Sequence, residues 1–368
     1  MEANSSSLTA AAEVAPAGPS GPVVPPGSKV ARLHARGYLR SRVGKGHFRY
    51  ATAAGERPSA DDLARIRKLA LPPAWTDVAI ARSAGSRLQA VGRDAAGRWQ
   101  YRYSAAHVRE REEKKGDRLA AFIRAMPALR TRIEKGLDAP PLSREQVMSA
   151  MLRILCVSFL RPGSKQYAEQ NGSFGLATLR RTHVSVTGAT ITLSFPGKSH
   201  QLQHRRFVDR RVAPVLRQLL ALRGRQVFQY RDDEGTVREV RRRDINDYIH
   251  EVMRQRFTAK DFRTWAGTVL CAARLVEAAP APDATATERK RILAACMRDV
   301  ASSLGNTPAV CRASYVSPRV LSAYEAKSLP DRLPPFDLGR IARRRGLSAA
   351  ERAVLTLVTR RRRRIRSG

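Results

Sequence analysis

A chain of 368 residues is long enough for two or three domains and a substantial buried core. Its 68 Lys and Arg against 32 Asp and Glu leave a formal net charge of +36, and such self-repulsion is costly unless a polyanion is the working partner. Nucleic acid is the expected polyanion and a membrane surface the weaker candidate. No apolar run approaches the roughly 18 residues of a bilayer span, and the amino terminus lacks the pattern of a secretory signal, so a cytoplasmic protein is expected.

Residues 1–29 are mostly Ala, Pro, Ser and Gly, a composition expected to stay disordered. From about Val30 to Arg111 the pattern is mainly strand. "GYLRSRVGKGHFRYA" interleaves basic and aromatic residues, and "SRLQAVGRDAAGRWQYRYS" alternates on either side of a Gly-containing turn. A period of two puts Trp99, Tyr101 and Tyr103 on one face, with Gln100 and Arg102 on the other. Between these stretches Ser59 and Asp61 start a helix that Pro72-Pro73 must stop. "AHVREREEKKGDRLAAFIRAMPALRTRIEKGL" then reads as a charged helical connector.

From Ser143 the period becomes helical. "REQVMSAMLRILCVSFLRPG" is an apolar-faced helix ended by Pro162-Gly163. One β interruption, "THVSVTGATITLSFPGKSHQLQHRRF", alternates through two turns and predicts a three-stranded sheet. Helices are expected from Val212 onward, ending in a basic tail over residues 339–368 that includes Arg360 to Arg364 and a single acid, Glu351. Because the tail holds only part of the charge excess, an extended basic surface is expected on the body.

Cys156, Cys271, Cys296 and Cys311 lack C-x-x-C spacing and are expected to be buried, reduced thiols. His200 and His204 stand four apart, but on an expected strand and without an accompanying carboxylate or cysteine, so no metal is expected. "PGKS" at Pro196 to Ser199 resembles the end of a phosphate-binding loop. The glycine required five positions before Gly197 is Thr192, so no nucleotide site and no cofactor are expected.

Four short segments carry the candidate chemistry. Arg161 ends the apolar helix before "PGSKQYAEQNGSFGLATLRR", Lys198 sits at a β-turn, and Lys260 and Arg263 stand one helical turn apart in "FTAKDFRTWAGT". "LGNTPAVCRASY" supplies Asn306 and Tyr315. Taken singly, each has an ordinary explanation: a solvated helix cap, a surface turn, a core tyrosine.

In this order the segments resemble the type IB DNA topoisomerases of bacteria and poxviruses. The resemblance runs from about Gly37 to Pro318 and includes "LPPAW", "QYRY", "NGSFGLATLR" and "KDFRTW" followed by "GT". It implies that Tyr315 attacks a DNA phosphorus, forming a 3′-phosphotyrosyl bond and freeing a 5′-hydroxyl strand that turns before the reaction reverses. A free phenol has a pKa of about 10, so roughly one in a thousand is ionised at neutral pH and the site must activate it. By the same resemblance Arg161 and Arg263 clamp the non-bridging oxygens, for which a planar guanidinium fork is suited. Lys198 would protonate the departing 5′ oxygen, and Lys260 would play a supporting role. Asn306 departs from the pattern, because that position is commonly histidine. An amide can donate a hydrogen bond but cannot shuttle a proton.

The resemblance also implies that Gln100, Tyr101 and Tyr103 lie on a strand entering the major groove, followed by His107 and Arg111. Glutamine suits adenine edges, and tyrosine suits thymine methyls or phosphates. Tyr167 and Arg180 are expected on backbone phosphates. The expected fold is α+β. A small β-rich DNA-binding domain (30–111) and a larger, mainly α-helical catalytic domain with a small three-stranded sheet (112–338) would form a C-shaped clamp. The partner would be double-stranded DNA, and the enzyme a monomer without ATP or metal, nucleoid-associated. A tyrosine recombinase shares the chemistry but typically has His-x-x-Arg where this chain has Lys260-x-x-Arg263, and its first domain is helical. A non-catalytic nucleoid packager would need none of these residues in one site.

Overall fold

The computed structural model describes residues 27–44, 46–281, 283–330, 333 and 344–359. The chain forms two compact units, Met1–Arg111 and Glu112–Gly368. The expected leader, apart from its last three residues, and the Arg360 to Arg364 run lie outside the described residues.

The first unit is built on a five-stranded antiparallel sheet in the order β2-β1-β3-β4-β5. Its strands are β1 (Tyr38–Gly44), β2 (His47–Ala51), β3 (Thr76–Ile80), β4 (Leu88–Arg93) and β5 (Trp99–Tyr103). One helix packs on each face. α1 (Lys29–Arg36) brings Val30 and Leu33 against Ala79, Val91 and Trp99. α2 (Ala60–Lys68), capped by the Ser59 hydroxyl as the sequence predicts, brings Ile66 against Val78, Ile80 and Ala90. Gly37 closes α1 because a Cβ there would lie 2.4 Å from the Ile80 carbonyl oxygen. The chain therefore passes from helix to sheet without a loop. β5 pairs Tyr101 with Val91 and Tyr103 with Leu88, so the two tyrosines share the face on which α1 lies.

α3 (Ala105–Leu137) starts in the first unit, and its buried residues, from Gly116 onward, belong to the second. They make it more than a connector: Phe122 packs edge-on against Phe257 and Phe262, each with ring centroids 5.1 Å away. Around it lie α4 (Arg144–Ser158), α5 (Lys165–Asn171), α6 (Val212–Ala221), α7 (Arg242–Met253), α8 (Ala259–Glu277), α9 (Ala286–Leu304), α10 (Pro308–Ser314) and α11 (Pro318–Glu325). β6 (Val184–Thr187), β7 (Thr190–Pro196) and β8 (Leu202–Val208) form the three-stranded sheet in sequential order.

Two features depart from the sequence reading. Helices do not run uninterrupted after Val212: β9 (Gln229–Arg231) and β10 (Val237–Glu239) make a hairpin whose turn is held by Asp232, paired to Arg238 at 2.7 Å. Three-residue strands are too short to show a period of two. Within the span read as a basic tail, α12 (Ala349–Thr359) buries Val354 and Val358. Its Glu351 is fully buried, pairing with Arg130 at 2.6 Å and accepting from Trp265 Nε1 at 3.0 Å.

The four cysteines are buried free thiols, with the Cys271 and Cys296 sulfurs 3.8 Å apart. Burial pushes Cys156 and Cys311 up to about 11, which leaves them protonated and unreactive at neutral pH. No described helix is long and apolar enough to cross a membrane.

Candidate active site

Arg161 owes its position to glycines. α4 ends at Phe159 in the left-handed region (φ 52°), and Gly163 turns again at φ 81°. The "FGLAT" segment then closes on this turn: Leu176 N–H donates to the Arg161 carbonyl at 2.9 Å and Ala177 N–H to Pro162 at 2.8 Å. A Cβ on Gly175 would lie 2.5 Å from the Gly163 nitrogen, so the motif glycine is what permits this approach. The Arg161 guanidinium donates to the Gly305 carbonyl at 3.2 Å and to Asn306 Oδ1.

Arg263 reaches the same place from α8. It is 2% exposed, donating to the Phe159 carbonyl and, at 2.8 Å, to the Leu304 carbonyl. Its Nε–H is buried without a protein partner, and so is Asn306 Nδ2. Both are donors held ready in a site crowded with positive charge. Arg263 Cζ stands 4.7 Å from the centroid of the Tyr315 ring.

Tyr315 follows α10 directly and caps it, its N–H donating to the Cys311 carbonyl at 2.9 Å. Its own carbonyl accepts from Thr268 Oγ1 at 3.2 Å, and Thr268 Oγ1 in turn accepts from Ser317 N–H at 3.1 Å. A Cβ on Gly267 would come 2.8 Å from the same carbonyl. The "GT" pair of α8 thus holds the Tyr315 backbone. Burial pushes the Tyr315 phenol up, but Arg263, with Arg161 and Lys260, outweighs it and leaves the phenol below the ordinary tyrosine value.

The fold therefore brings Arg161, Arg263, Asn306 and Tyr315 together, with the exposed Lys260 acting on the phenol through its charge. Lys198 stands apart, exposed at the β7–β8 tip, where Ser199 and His200 have φ of 59° and 56°. Tyr167 is 61% exposed on α5, and Arg180 covers the Phe174 ring at 4.8 Å.

In the first unit, Tyr101 is 44% exposed and stacks on Tyr103 with ring centroids 6.3 Å apart. Tyr103 continues to His107 at 5.1 Å and carries the Arg111 guanidinium 5.5 Å above its ring. Trp99, on the same face, is instead packed under α1 against His34. Gln100 donates to Asp94 at 2.8 Å.

Sequence reasoning missed several contributors. Arg205 on β8 donates to the Ser303 carbonyl at 3.2 Å and adds a third guanidinium close enough to lower Arg161, after burial and Arg263. Its signal was an arginine on the inward parity of an alternating strand. Lys115 donates to the Ala313 carbonyl at 3.0 Å, and Arg118 pairs with Asp261 at 2.6 Å, so α3 touches both the segment before Tyr315 and the start of α8. Nothing in the local pattern marks contacts so distant in sequence.

The family described as eukaryotic DNA topoisomerase I, catalytic core, matches residues 104–329. That described as bacterial DNA topoisomerase IB, N-terminal domain, matches residues 47–94. The chain is 35% identical over 294 residues to a DNA topoisomerase 1B of Acanthamoeba polyphaga mimivirus, covering 78% of this chain and 88% of the relative. It is 22% identical over 278 residues to the DNA topoisomerase 1B of vaccinia virus (strain Copenhagen), covering 72% and 83%.

Proposed function

The chain belongs to the type IB DNA topoisomerases, and we propose that it relaxes positive and negative supercoils through a covalent bond between Tyr315 and a 3′ phosphate. The observation that carries this reading is the convergence of Arg161 and Arg263 on the Tyr315 phenol, with Asn306 bonded to Arg161 beside them.

In the proposed reaction the Tyr315 oxygen attacks the phosphorus of one strand. The phenol gives up its proton to solvent, the new O–P bond forms, and the bond from phosphorus to the 5′ oxygen breaks. The lowered phenol favours the first event. Arg161 and Arg263 face the charge that grows on the non-bridging oxygens, and each such preorganised donor is worth about 3–4 kcal/mol of barrier. Asn306 adds a hydrogen bond through Nδ2. Lys198, on its exposed tip, is the candidate donor of the proton that the departing 5′ oxygen takes up. The freed strand turns about the intact one, and its 5′ hydroxyl then attacks the phosphotyrosine in reverse. Because the phosphodiester is exchanged rather than hydrolysed, the cycle balances without ATP.

Duplex DNA is the substrate in this reading, bound by a monomer in the cytoplasm on nucleoid DNA. Exposed Tyr101, stacked Tyr103, His107 and Arg111 make up the groove-facing strip, with Tyr167 and Arg180 on backbone phosphates. The test is relaxation of plasmids of both signs in EDTA without ATP, beside Tyr315→Phe. Wild type is expected to relax both and to leave a protein–DNA adduct on denaturation, while the variant binds and does neither. Adduct formation by Tyr315→Phe would remove Tyr315 from its role.

A further inference from the structure

α1 carries one cation where its own dipole disfavours it. Lys29 stands in the first turn, where the helix dipole disfavours a cation, and no acidic residue occupies that turn. Arg32 and Arg36 follow one turn apart, and all three are exposed. Among the described residues none of them pairs with a carboxylate, so no described acid offsets their mutual repulsion. α1 also precedes the residues matched by either family description.

These cations line one wall of an open groove of about 700 Å³ on the first unit. Arg87, also exposed, stands on its other side, and Arg82 is there too, partly answered by Glu56 at 2.9 Å. No Asp or Glu lines the groove. Its floor is Leu33, Gly37, Ala81 and Leu88, and its rim is Tyr103 and His107. The groove is therefore continuous with the strip of aromatic rings that begins at Tyr101, on the sheet face that α1 shares.

A row of exposed cations with no partners, opening from a stacked aromatic strip, suits a polyanion with a regular phosphate spacing and flat groups beside it. A small anion would need a closed site with a buried donor, and this groove is open and lined by long, solvated side chains. We propose that the α1 groove is a phosphate-tracking surface that holds the backbone of the same duplex just beyond the segment read by Tyr101 and Tyr103. This rests on the DNA reading above and adds to it the element that fixes how far along the duplex the first unit reaches.

The test uses the full chain carrying Tyr315→Phe, so that binding is read without chemistry, and a labelled duplex of about 40 base pairs titrated at several salt concentrations. Lys29→Ala/Arg32→Ala/Arg36→Ala is compared with Arg57→Ala/Arg67→Ala/Lys68→Ala. The latter removes the same charge from exposed positions just before α2 and at its end. Each phosphate contact contributes about 0.9 to the slope of log K against log salt, so the α1 variant is expected to flatten the slope by about 2–3. The control is expected to leave it nearly unchanged, and Lys29→Arg/Arg32→Lys/Arg36→Lys to restore it. Equal flattening in both triple-alanine variants would reduce the effect to net charge and overturn the proposal. An unchanged slope in the α1 variant, or a change confined to a single-stranded probe, would also overturn it. Thermal melting of each variant shows whether α1 still folds. Plasmid relaxation by the wild type is scored separately, so loss of the catalytic reading and loss of the groove give different results.

Discussion

Asn306 uses its two amide atoms differently: Oδ1 accepts from Arg161, while Nδ2 is buried and free to donate. Asn306→Asp keeps the acceptor and removes the donor, at almost the same size. Single-turnover cleavage by this variant should fall by about 10²–10³, as when an oxyanion donor is lost, and full activity would end the donor role. Lys260 acts at longer range, through charge alone. Since Arg263, Arg161 and Lys260 hold the Tyr315 phenol below its ordinary value, Lys260→Ala should move the rising limb of cleavage rate against pH upward. A limb that stays put would mean that Lys260 does not act on the phenol. The shift has little bearing on stability near neutrality. A group with a lowered pKa stabilises the fold above its unfolded pKa and loses that contribution as pH falls through its folded one, a window well into the alkaline range. These residues were legible because Arg161, Lys260, Arg263, Asn306 and Tyr315 lie in short segments whose order resembles the type IB family, not because any one of them stands out alone. The contacts of Arg205 and Thr268 were not, although strand parity marked the first and the "GT" pair the second, because their partners lie far away in sequence.

At the level of elements, α8 does the most. It carries Lys260 and Arg263 on its first turns, Trp265 into the core, and Gly267-Thr268 against Tyr315. α12 holds it from behind, with Glu351 shared between Arg130 and Trp265. Glu351→Ala leaves Arg130, 1% exposed, without its carboxylate, and should cost about 3–5 kcal/mol of stability by denaturant titration. A loss under about 1 kcal/mol, typical of surface pairs, would show that α12 is not part of the core. The helices and the three-stranded sheet could be read from period and turn residues. The β9–β10 hairpin could not, with three residues per strand. Nor could α12, because the surrounding arginines dominate its composition while the burial of Glu351 depends on Arg130, far away in sequence.

For the whole molecule, the excess of positive charge governs association. The boundary between the two units falls inside α3, shortly after the last strand of the first unit ends, and the two units bury apolar residues with different periods, a sheet in one and mainly helices in the other. If the body carries the binding surface, a chain truncated after Thr359 should keep most of the salt dependence of DNA binding, measured by titration at several salt concentrations. Loss of most of it would assign binding to the arginine run instead. One detail of the second unit bears on what happens while a strand is held. Under the proposed reaction a twisted plasmid pulls on the protein through a single side chain, and a joint is only as strong as its footing. Tyr315 stands in the short turn between α10 and α11, but its backbone is fastened to Cys311 and to Thr268, hence to α8, among the most deeply buried helices of the unit. Torque arriving at the phenol would be passed into the core, so the bonded 3′ end keeps its place while the freed strand turns.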